Sequence, residues 1–270
     1  MASDIEKSVA VIGERAGGVS PRVGLILGSG LGPFADTIGD ATIISYADLP
    51  GFPKPGVAGH AGQLVVGRVG GTDVAVMQGR AHFYETGTAD AMKTPVRTLN
   101  QIGCETLIVT NAAGSLDREA GPGSVMMLTD HISFTGASPL FGEEGNDRFV
   151  DLADAYNPAL REQFHTAARE NDITLHEGIY MWFCGPHFET PAEIRAAGIM
   201  GATAVGMSTV PEVILARHAG MRVAALSIIT NLAAGMSDVA LTHDQTMTMA
   251  AKATGSVQAL LTAFLSSYGD

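Results

Sequence analysis

Cysteines and long apolar runs are both scarce in this chain. Cys104 and Cys184 are the only cysteines among 270 residues, and two thiols in a chain of this length indicate a reducing compartment rather than a disulfide framework. Mean hydropathy is +0.20, yet no unbroken apolar run approaches the ~18 residues that a membrane helix needs. Residues 1–7 have neither a basic start nor an apolar stretch, so no secretory signal is expected. We therefore expect a cytoplasmic protein.

Positive charge is also scarce. The chain has 16 Lys and Arg residues against 28 Asp and Glu residues, which gives a net charge of −12. Nucleic acid is therefore not expected as the main partner, because a phosphate backbone is bound by basic surfaces. An anionic ligand would have to be bound by local arginines and backbone N–H groups, against the overall field of the protein.

Several common catalytic motifs are missing as well. The sequence has no H-E-x-x-H pattern and no cysteine cluster, so no metal site is predicted. It has no G-x-S-x-G nucleophile elbow and no Gly-Lys-Ser or Gly-Lys-Thr of a Walker loop. Metal-assisted hydrolysis, elbow-type serine hydrolysis and Walker-type nucleotide binding are therefore not supported.

Strand-like and helical segments alternate along the chain. Runs rich in β-branched residues and bounded by Gly, Asp or Asn predict strands at 23–27, 63–69, 73–77, 106–110, 125–128, 173–183 and 223–230. Helical patterns lie between them at 89–102, 158–170, 191–197, 211–219 and 242–265. The alternation predicts an α/β fold with a mixed, mostly parallel central sheet flanked by helices, formed by residues 1–270 as a single domain.

A glycine-rich turn follows the first of these strands. Residues 28–32 read Gly-Ser-Gly-Leu-Gly, and the N–H groups of such a turn attract anions, with Ser29 adding a hydroxyl donor. A dinucleotide fingerprint is the competing interpretation. Pro33 stands where its third glycine belongs, but Asp48 lies at about the right distance for its acidic residue. A plain strand-to-helix turn is the third possibility.

Polar residues follow several of the predicted strands. In parallel sheets ligands bind beyond the carboxyl ends of the strands, so residues at those ends are expected to meet. The residues placed there by the predicted strands are Ser29, Arg80, Asn111, Glu189 and Asn231. This shared position is the strongest sign of a single site that the pattern gives.

Two of these segments carry charge. Arg80 offers a planar fork suited to phosphate oxygens, and His82 could donate a second bond with Glu85 orienting it, although a solvated polar turn explains the same residues. Glu189 could accept hydrogen bonds from ring N–H groups while Phe188 covers a ring face. Glu189 could equally favour the start of the helix at 191 through the helix dipole.

The other two segments are less distinctive. Small residues after Asn111 would let a ligand approach the backbone, although a strand end with a tight turn gives the same pattern. The amide of Asn231 can both donate and accept, but Asn is also common at strand ends. His243 could be only a polar residue in the first turn of the last helix.

Taken together, these segments closely resemble the trimeric type of purine nucleoside phosphorylase. The resemblance covers the chain from about residue 23 to the end, with motifs in the same order. The matching stretches are 28–32 (GSGLG), 59–62 (GHAG), 78–85 (QGRAHFYE), 110–114 (TNAAG), 185–190 (GPHFET), 205–212 (VGMSTVPE) and 229–231 (ITN).

The resemblance implies a function and a set of site residues. The expected reaction is reversible phosphorolysis of 6-oxopurine ribo- or deoxyribonucleosides, in which orthophosphate is the co-substrate and no metal or organic cofactor is needed. Glu189, Asn231 and His82 are the expected catalytic residues. The implied phosphate site consists of Ser29, Arg80, His82, the backbone at Ala112, and Ser208. The implied sugar contacts are Tyr84, Met207 and His243, and the implied base contacts are Phe188, Glu189, Val205 and Asn231, with His60 on a nearby loop.

The resemblance also implies a homotrimer. The family lends an aromatic residue from the neighbouring subunit to the sugar site, from the loop after the Asp-His pair at 130–131. The corresponding loop here, 133–140, is shorter, and Ala137 falls near the expected aromatic, with Phe134 or Phe141 as substitutes.

Three rival functions are kept. The nearest is a methylthioadenosine phosphorylase of the same fold, although Asp rather than Asn at position 231 would favour a 6-amino purine. The others are a dinucleotide-binding oxidoreductase, based on the glycine turn and Asp48, and a nucleoside-binding protein without catalysis.

Overall fold

The computed structural model describes residues 2–54, 56, 61–237 and 242–269, with only the backbone at 243–247. The helices are α1 (Asp4–Arg15), α2 (Phe83–Thr86), α3 (Lys93–Gln101), α4 (Pro158–Glu170), α5 (Pro191–Ile199), α6 (Val210–His218) and α7 (His243–Ser266). The strands are β1 (Val23–Leu27), β2 (Gly39–Ser45), β3 (Gln63–Val69), β4 (Thr72–Gln78), β5 (Thr106–Ser115), β6 (Val125–Ser133), β7 (Leu175–Trp182), β8 (Ala204–Gly206) and β9 (Arg222–Leu232).

The described strands form one mixed sheet, which confirms the predicted fold class. Its order is β2-β3-β4-β1-β5-β8-β7-β6-β9, with β5 also paired to β9. The pairings of β1 with β4 and β5, of β5 with β9, and of β7 with β6 and β8 are parallel. The remaining pairings, β2–β3, β3–β4, β5–β8 and β6–β9, are antiparallel. Because β9 pairs with both β6 and β5, the strands β5 to β9 close on themselves as a small barrel.

Helices cover both faces of the sheet. One apolar core lies between the sheet and α1, α3 and α6, and a second lies under α4 and α7. In the second core, Phe164 of α4 stacks on Phe264 of α7 with ring centroids 4.0 Å apart. None of the described helices combines the length and apolarity that crossing a bilayer requires.

Two strands run further than the sequence indicates. Asn111 and Asn231 lie inside β5 and β9, whereas the predicted strands end before them. The reason is tertiary: the register between the two strands continues through Ser115 and Leu232, and this pairing overrides the weak strand preference of the Asn, Ala and Gly residues. The prediction that both asparagines follow their strands is therefore wrong.

Four described elements are missed by the sequence pattern, namely α1, the four-residue α2, β2 and β8. β2 is an edge strand whose side chains are mostly exposed, and β8 has three residues, so neither shows a clear apolar period. α1 begins with a capping box in which Ser3 and Glu6 bond each other's backbone N–H groups. That capping pattern is readable in the sequence.

Candidate functional site

A cavity of about 460 Å³ opens where the barrel meets the rest of the sheet. This volume is in the range of small-molecule sites. Its lining residues are Gly28, Ser29, Arg80, His82, Tyr84, Asn111, Ala112, Ala113, Gly114, Pro186, Phe188, Glu189, Val205, Gly206, Met207, Ser208, Thr230 and Asn231. The expected convergence of segments that are distant in sequence is therefore found.

The glycine turn forms one wall of this cavity. The backbone N–H of Gly28 donates to Thr110 Oγ1 at 2.9 Å, and a Cβ on Gly28 would lie 2.7 Å from the Thr110 carbonyl oxygen. Gly30 has φ +84°, and a Cβ there would lie 2.7 Å from Ala250 Cβ. Glycine is required because β5 and α7 press against the turn from two sides.

The dinucleotide interpretation does not fit this turn. The chain continues into a short 3₁₀-helix, Gly32–Thr37, rather than into the α-helix whose N-terminus would face a pyrophosphate. Asp48 is half-exposed and pairs with Arg15 at 2.6 Å. Asp48 therefore forms its ion pair at the surface with a residue of α1, outside the cavity.

Arg80 is the buried cation of the site. Its side chain is 1% exposed and forms an ion pair with Glu212 of α6 at 2.9 Å. The guanidinium also donates to the carbonyls of Ile26, at 3.3 Å, and Thr110. These contacts fix the plane of the fork near the carboxyl end of β1 and beside the middle of β5. The solvated-turn interpretation of this segment is therefore wrong.

His82 is held as a neutral ring. Its Nδ1 lies 2.8 Å from Glu85 Oε1, and its ring stacks on Tyr84 with centroids 4.9 Å apart. Burial, reinforced by the charge of Arg80, lowers the pKa of His82 to about 4. At neutral pH the imidazole therefore contributes hydrogen bonding rather than positive charge.

A residue with a strained backbone, Thr209, supports the part of the cavity that Ser208 and Ala112 line. Thr209 has φ +75°, which is unusual for a β-branched residue, and it caps α6. Its Oγ1 accepts from Asn111 Nδ2 at 2.9 Å, and the N–H of the preceding Ser208 donates to Tyr180 Oη at 3.2 Å. Ser208 and Ala112 line the cavity together with Arg80.

Glu189 is a buried carboxylate in the lining of the same cavity. It is 8% exposed, and among the described residues its Oε1 has no hydrogen-bond partner. Burial raises its pKa above the ordinary value. The start of α5 is capped without it, because Thr190 and Glu193 form a complete capping box there. Phe188 lines the cavity beside Glu189 and is partly exposed.

Asn231 lies near the end of β9 with its amide held in place. Its Nδ2 donates to the carbonyl of Leu232 at 3.0 Å, and its Oδ1 accepts from Thr230 Oγ1 at 2.9 Å. A Cβ on Gly114 would lie 2.9 Å from Asn231 Nδ2, so glycine at that position leaves room for the amide. Val205 of β8 is paired with Gly114 across the barrel seam.

The remaining predicted residues divide into two groups. Tyr84 and Met207 line the cavity as expected. His60 lies outside the described residues, and so does the side chain of His243, whose backbone begins α7.

Two supporting residues were missed by sequence reasoning. Glu212 pairs with Arg80, and Tyr180, which is fully buried, contacts the backbone of Ser208. Glu212 could have been noticed as the single acid in the apolar helix 210–216. The position of Tyr180 within an apolar strand gives no comparable signal.

Comparison with known proteins agrees with the geometry. Residues 22–266 match the model of the phosphorylase superfamily. Purine nucleoside phosphorylase 1 of Geobacillus stearothermophilus is 50% identical over 84% of each chain, and that of Bacillus subtilis is 45% identical over 99% of this chain and all of its own. A Schistosoma mansoni purine nucleoside phosphorylase crystallised with inosine superposes with a TM-score of 0.92 at 35% identity, covering 99% of this chain and 97% of that one.

These matches cover most of the chain, and their sequence identities are far above the level at which two proteins share only a fold. The chain belongs to the phosphorylase superfamily and, within it, to the purine nucleoside phosphorylases. Members of this family are pentosyltransferases.

Proposed function

We propose that the chain catalyses the reversible phosphorolysis of 6-oxopurine ribo- and deoxyribonucleosides such as inosine and guanosine, as a step of purine salvage. The observation that carries the proposal is the composition of a single cavity. Donors for an anion, from Ser29, Arg80 and Ser208, share this cavity with a buried carboxylate and a fixed amide, Glu189 and Asn231. An anion and a polar ring can therefore be held against each other.

The proposed mechanism uses electrostatics rather than a covalent nucleophile. Phosphate attacks C1′ as the glycosidic bond breaks, so positive charge develops on the sugar and negative charge on the purine. The phosphate stabilises the positive charge on the sugar. It is held in place by Ser29, Arg80, His82, the Ala112 backbone and Ser208. Tyr84, Met207 and His243 are the proposed contacts of the sugar between the two ends.

Stabilisation of the purine charge is assigned to the other end of the cavity. Asn231 donates toward N7 or O6, while Glu189 accepts from N1–H and any 2-amino group. Phe188 and Val205 are the proposed apolar contacts of the base. Because the charges of the transition state are met by phosphate and protein dipoles, the reaction needs no metal or organic cofactor.

We expect inosine and guanosine to be cleaved only when phosphate is present, and adenosine to be cleaved poorly. The measurement is release of free base from each nucleoside with and without phosphate. Equal rates without phosphate would indicate a hydrolase, and binding without cleavage would indicate a nucleoside-binding protein. A preference for methylthioadenosine would indicate the nearest alternative, a methylthioadenosine phosphorylase of the same fold.

The base preference is assigned to Asn231. In Asn231→Asp the ionised carboxylate cannot donate to O6, which leaves a buried acceptor facing another acceptor and costs about 1–3 kcal/mol for inosine. The carboxylate can accept from the 6-amino group of adenosine, so the adenosine-to-inosine ratio of kcat/KM is expected to rise. Glu189 still favours N1–H, so the switch should be partial.

Solved complexes of the Schistosoma mansoni relative include both inosine and adenosine, so the ratio must be measured in the parent protein as well. An unchanged ratio in Asn231→Asp would show that Asn231 does not read position 6 of the purine. Val205→Ala is a suitable control, because it changes an apolar wall of the same cavity without altering the hydrogen bonds to the ring.

We also propose a cytoplasmic homotrimer. Three large apolar side chains, Phe134, Phe141 and Phe149, are 50–76% exposed in the isolated chain, and an interface would cover apolar surface of this kind. Sedimentation equilibrium should give about three times the chain mass of 28.0 kDa. A stable monomer or a hexamer would contradict this proposal, and Phe141→Ser is expected to weaken the assembly.

A further inference from the structure

Asn111 is a buried polar group whose hydrogen bonding is only half complete. It is 2% exposed, and its Nδ2 donates to Thr209 Oγ1 at 2.9 Å. Its Oδ1 accepts no hydrogen bond from any residue that the structure describes. A buried amide oxygen without a donor is destabilising. Because Asn111 lines the cavity, a ligand bound there can supply that donor.

Asn111 lies where the segments assigned to phosphate meet. Arg80 donates to the carbonyl of Thr110, the preceding residue in β5. A Cβ on Gly28 would lie 2.9 Å from Asn111 Cα, so the glycine turn is packed directly against this position. Thr209, the partner of Nδ2, follows the serine assigned to phosphate. The free oxygen is therefore inside the anion-binding end of the cavity rather than the base end.

The chemistry of the neighbouring groups decides which ligand atom fits. A guanidinium and a backbone N–H only donate, and they suit the unprotonated oxygens of an anion. Asn111 Oδ1 only accepts, so it requires a ligand oxygen that carries a proton. Hydrogen phosphate has one such oxygen at neutral pH. Sulfate has the same tetrahedral shape and the same double negative charge, but it has no proton to donate.

We propose that Asn111 Oδ1 accepts the hydrogen bond of the protonated oxygen of hydrogen phosphate, and that this contact makes the site select phosphate over sulfate. The inference rests on the proposed function, because it assumes that the anion bound in this cavity is the phosphate co-substrate. It adds a specificity-determining residue to the phosphate site, in which Asn111 is not otherwise assigned a role.

The same amide also has a positioning role that an experiment must separate. Nδ2 holds the hydroxyl of Thr209, whose positive φ is strained, and Ser208 precedes it. Loss of this contact would disturb the binding of any anion. Loss of the Oδ1 acceptor would weaken only an anion that carries a proton. The ratio of phosphate to sulfate affinity therefore distinguishes the two roles.

The test measures the dissociation constants of inorganic phosphate and of sulfate by titration calorimetry at neutral pH. Asn111→Leu should weaken phosphate about 10- to 100-fold more than it weakens sulfate. The matched control is Thr209→Val, which keeps Oδ1 and removes the hydroxyl. It should weaken both anions alike, so that the ratio stays within about threefold of the parent value.

An equal loss for both anions in Asn111→Leu would overturn the proposal and leave Asn111 a positioning residue. If Asn111→Leu does not fold, Asn111→Asp replaces it, because this variant retains an acceptor at the same position. Its ratio of phosphate affinity to sulfate affinity should equal or exceed that of the parent. A fall of this ratio to one would overturn the proposal. A parent protein that cleaves inosine with phosphate but shows no preference over sulfate refutes this inference alone. A parent protein without phosphate-dependent cleavage refutes the proposed function.

Discussion

Arg80→Met is expected to lose both phosphate use and stability. The guanidinium is the buried cation of the anion-binding end, so kcat/KM for phosphate should fall at least about 100-fold when its charged hydrogen bonds are removed. The same change leaves Glu212 buried at 2% exposure without its ion-pair partner. Removing one member of a buried pair costs about 3–5 kcal/mol. Saturation kinetics and urea unfolding measure the two effects separately.

The double variant Arg80→Met/Glu212→Gln separates the two roles of the arginine. It removes the uncompensated carboxylate, so most of the lost stability should return while phosphate use stays low. Arg15→Met is the surface control: its partner Asp48 is half-exposed, and loss of such a pair changes stability by about 0–1 kcal/mol. A single Arg80→Met variant with normal KM for phosphate would show that Arg80 serves the core alone.

Glu189→Ala is expected to damage catalysis without damaging the fold. A charge-assisted bond to the base is worth about 1.5–3 kcal/mol, which corresponds to a loss of roughly 10- to 150-fold in kcat/KM for inosine. Burial raises the pKa of this carboxyl, so its ionised form opposes folding at neutral pH. Its contribution to stability is present below its ordinary pKa and is lost as pH rises through the raised one. The parent should therefore gain stability relative to Glu189→Ala as pH is lowered from neutral.

Glu193→Ala is the matched control, because Glu193 lies on the same helix start. It closes the capping box with Thr190, so its loss should lower the melting temperature while kcat/KM stays near the parent value. Normal activity in Glu189→Ala would show that Glu189 is only a residue near the helix start. Loss of activity in both variants would mean that the integrity of α5, rather than one carboxylate, is required.

Local signals account for what the sequence predicts well. The bounds of β1 and α4 agree with the structure because five buried apolar residues mark the strand and Asn157 caps the helix ahead of Pro158. Asn157 accepts from the N–H of Leu160 at 3.1 Å, which is the bond that such a sequence favours. Elements whose cause lies within a few residues can be predicted in this way.

Long-range pairing accounts for what the sequence does not show. The convergence of Ser29 and Arg80 on one cavity follows from the rule for parallel strands, because β1 and β4 pair in parallel, and the resemblance to a family sharpens it. The partner of Arg80 does not follow from such a rule, because Glu212 is 132 residues away and belongs to a helix whose first seven residues are otherwise apolar. The extension of β5 through Asn111 likewise depends on its pairing with β9, which no local propensity encodes.

The closed barrel makes ligand binding a reporter of complete folding. The cavity takes its walls from Gly28 to Asn231, and the β5–β9 pairing that closes the ring joins early and late parts of the chain. A fragment or a partly folded intermediate therefore lacks the complete binding pocket. Phosphate or nucleoside should bind only the fully folded protein. A ligand present at a concentration of a hundred times its dissociation constant would add about 2.7 kcal/mol to the free energy of unfolding. Substrate would then act as a selective stabiliser that protects completed molecules and leaves misassembled ones exposed to proteolysis.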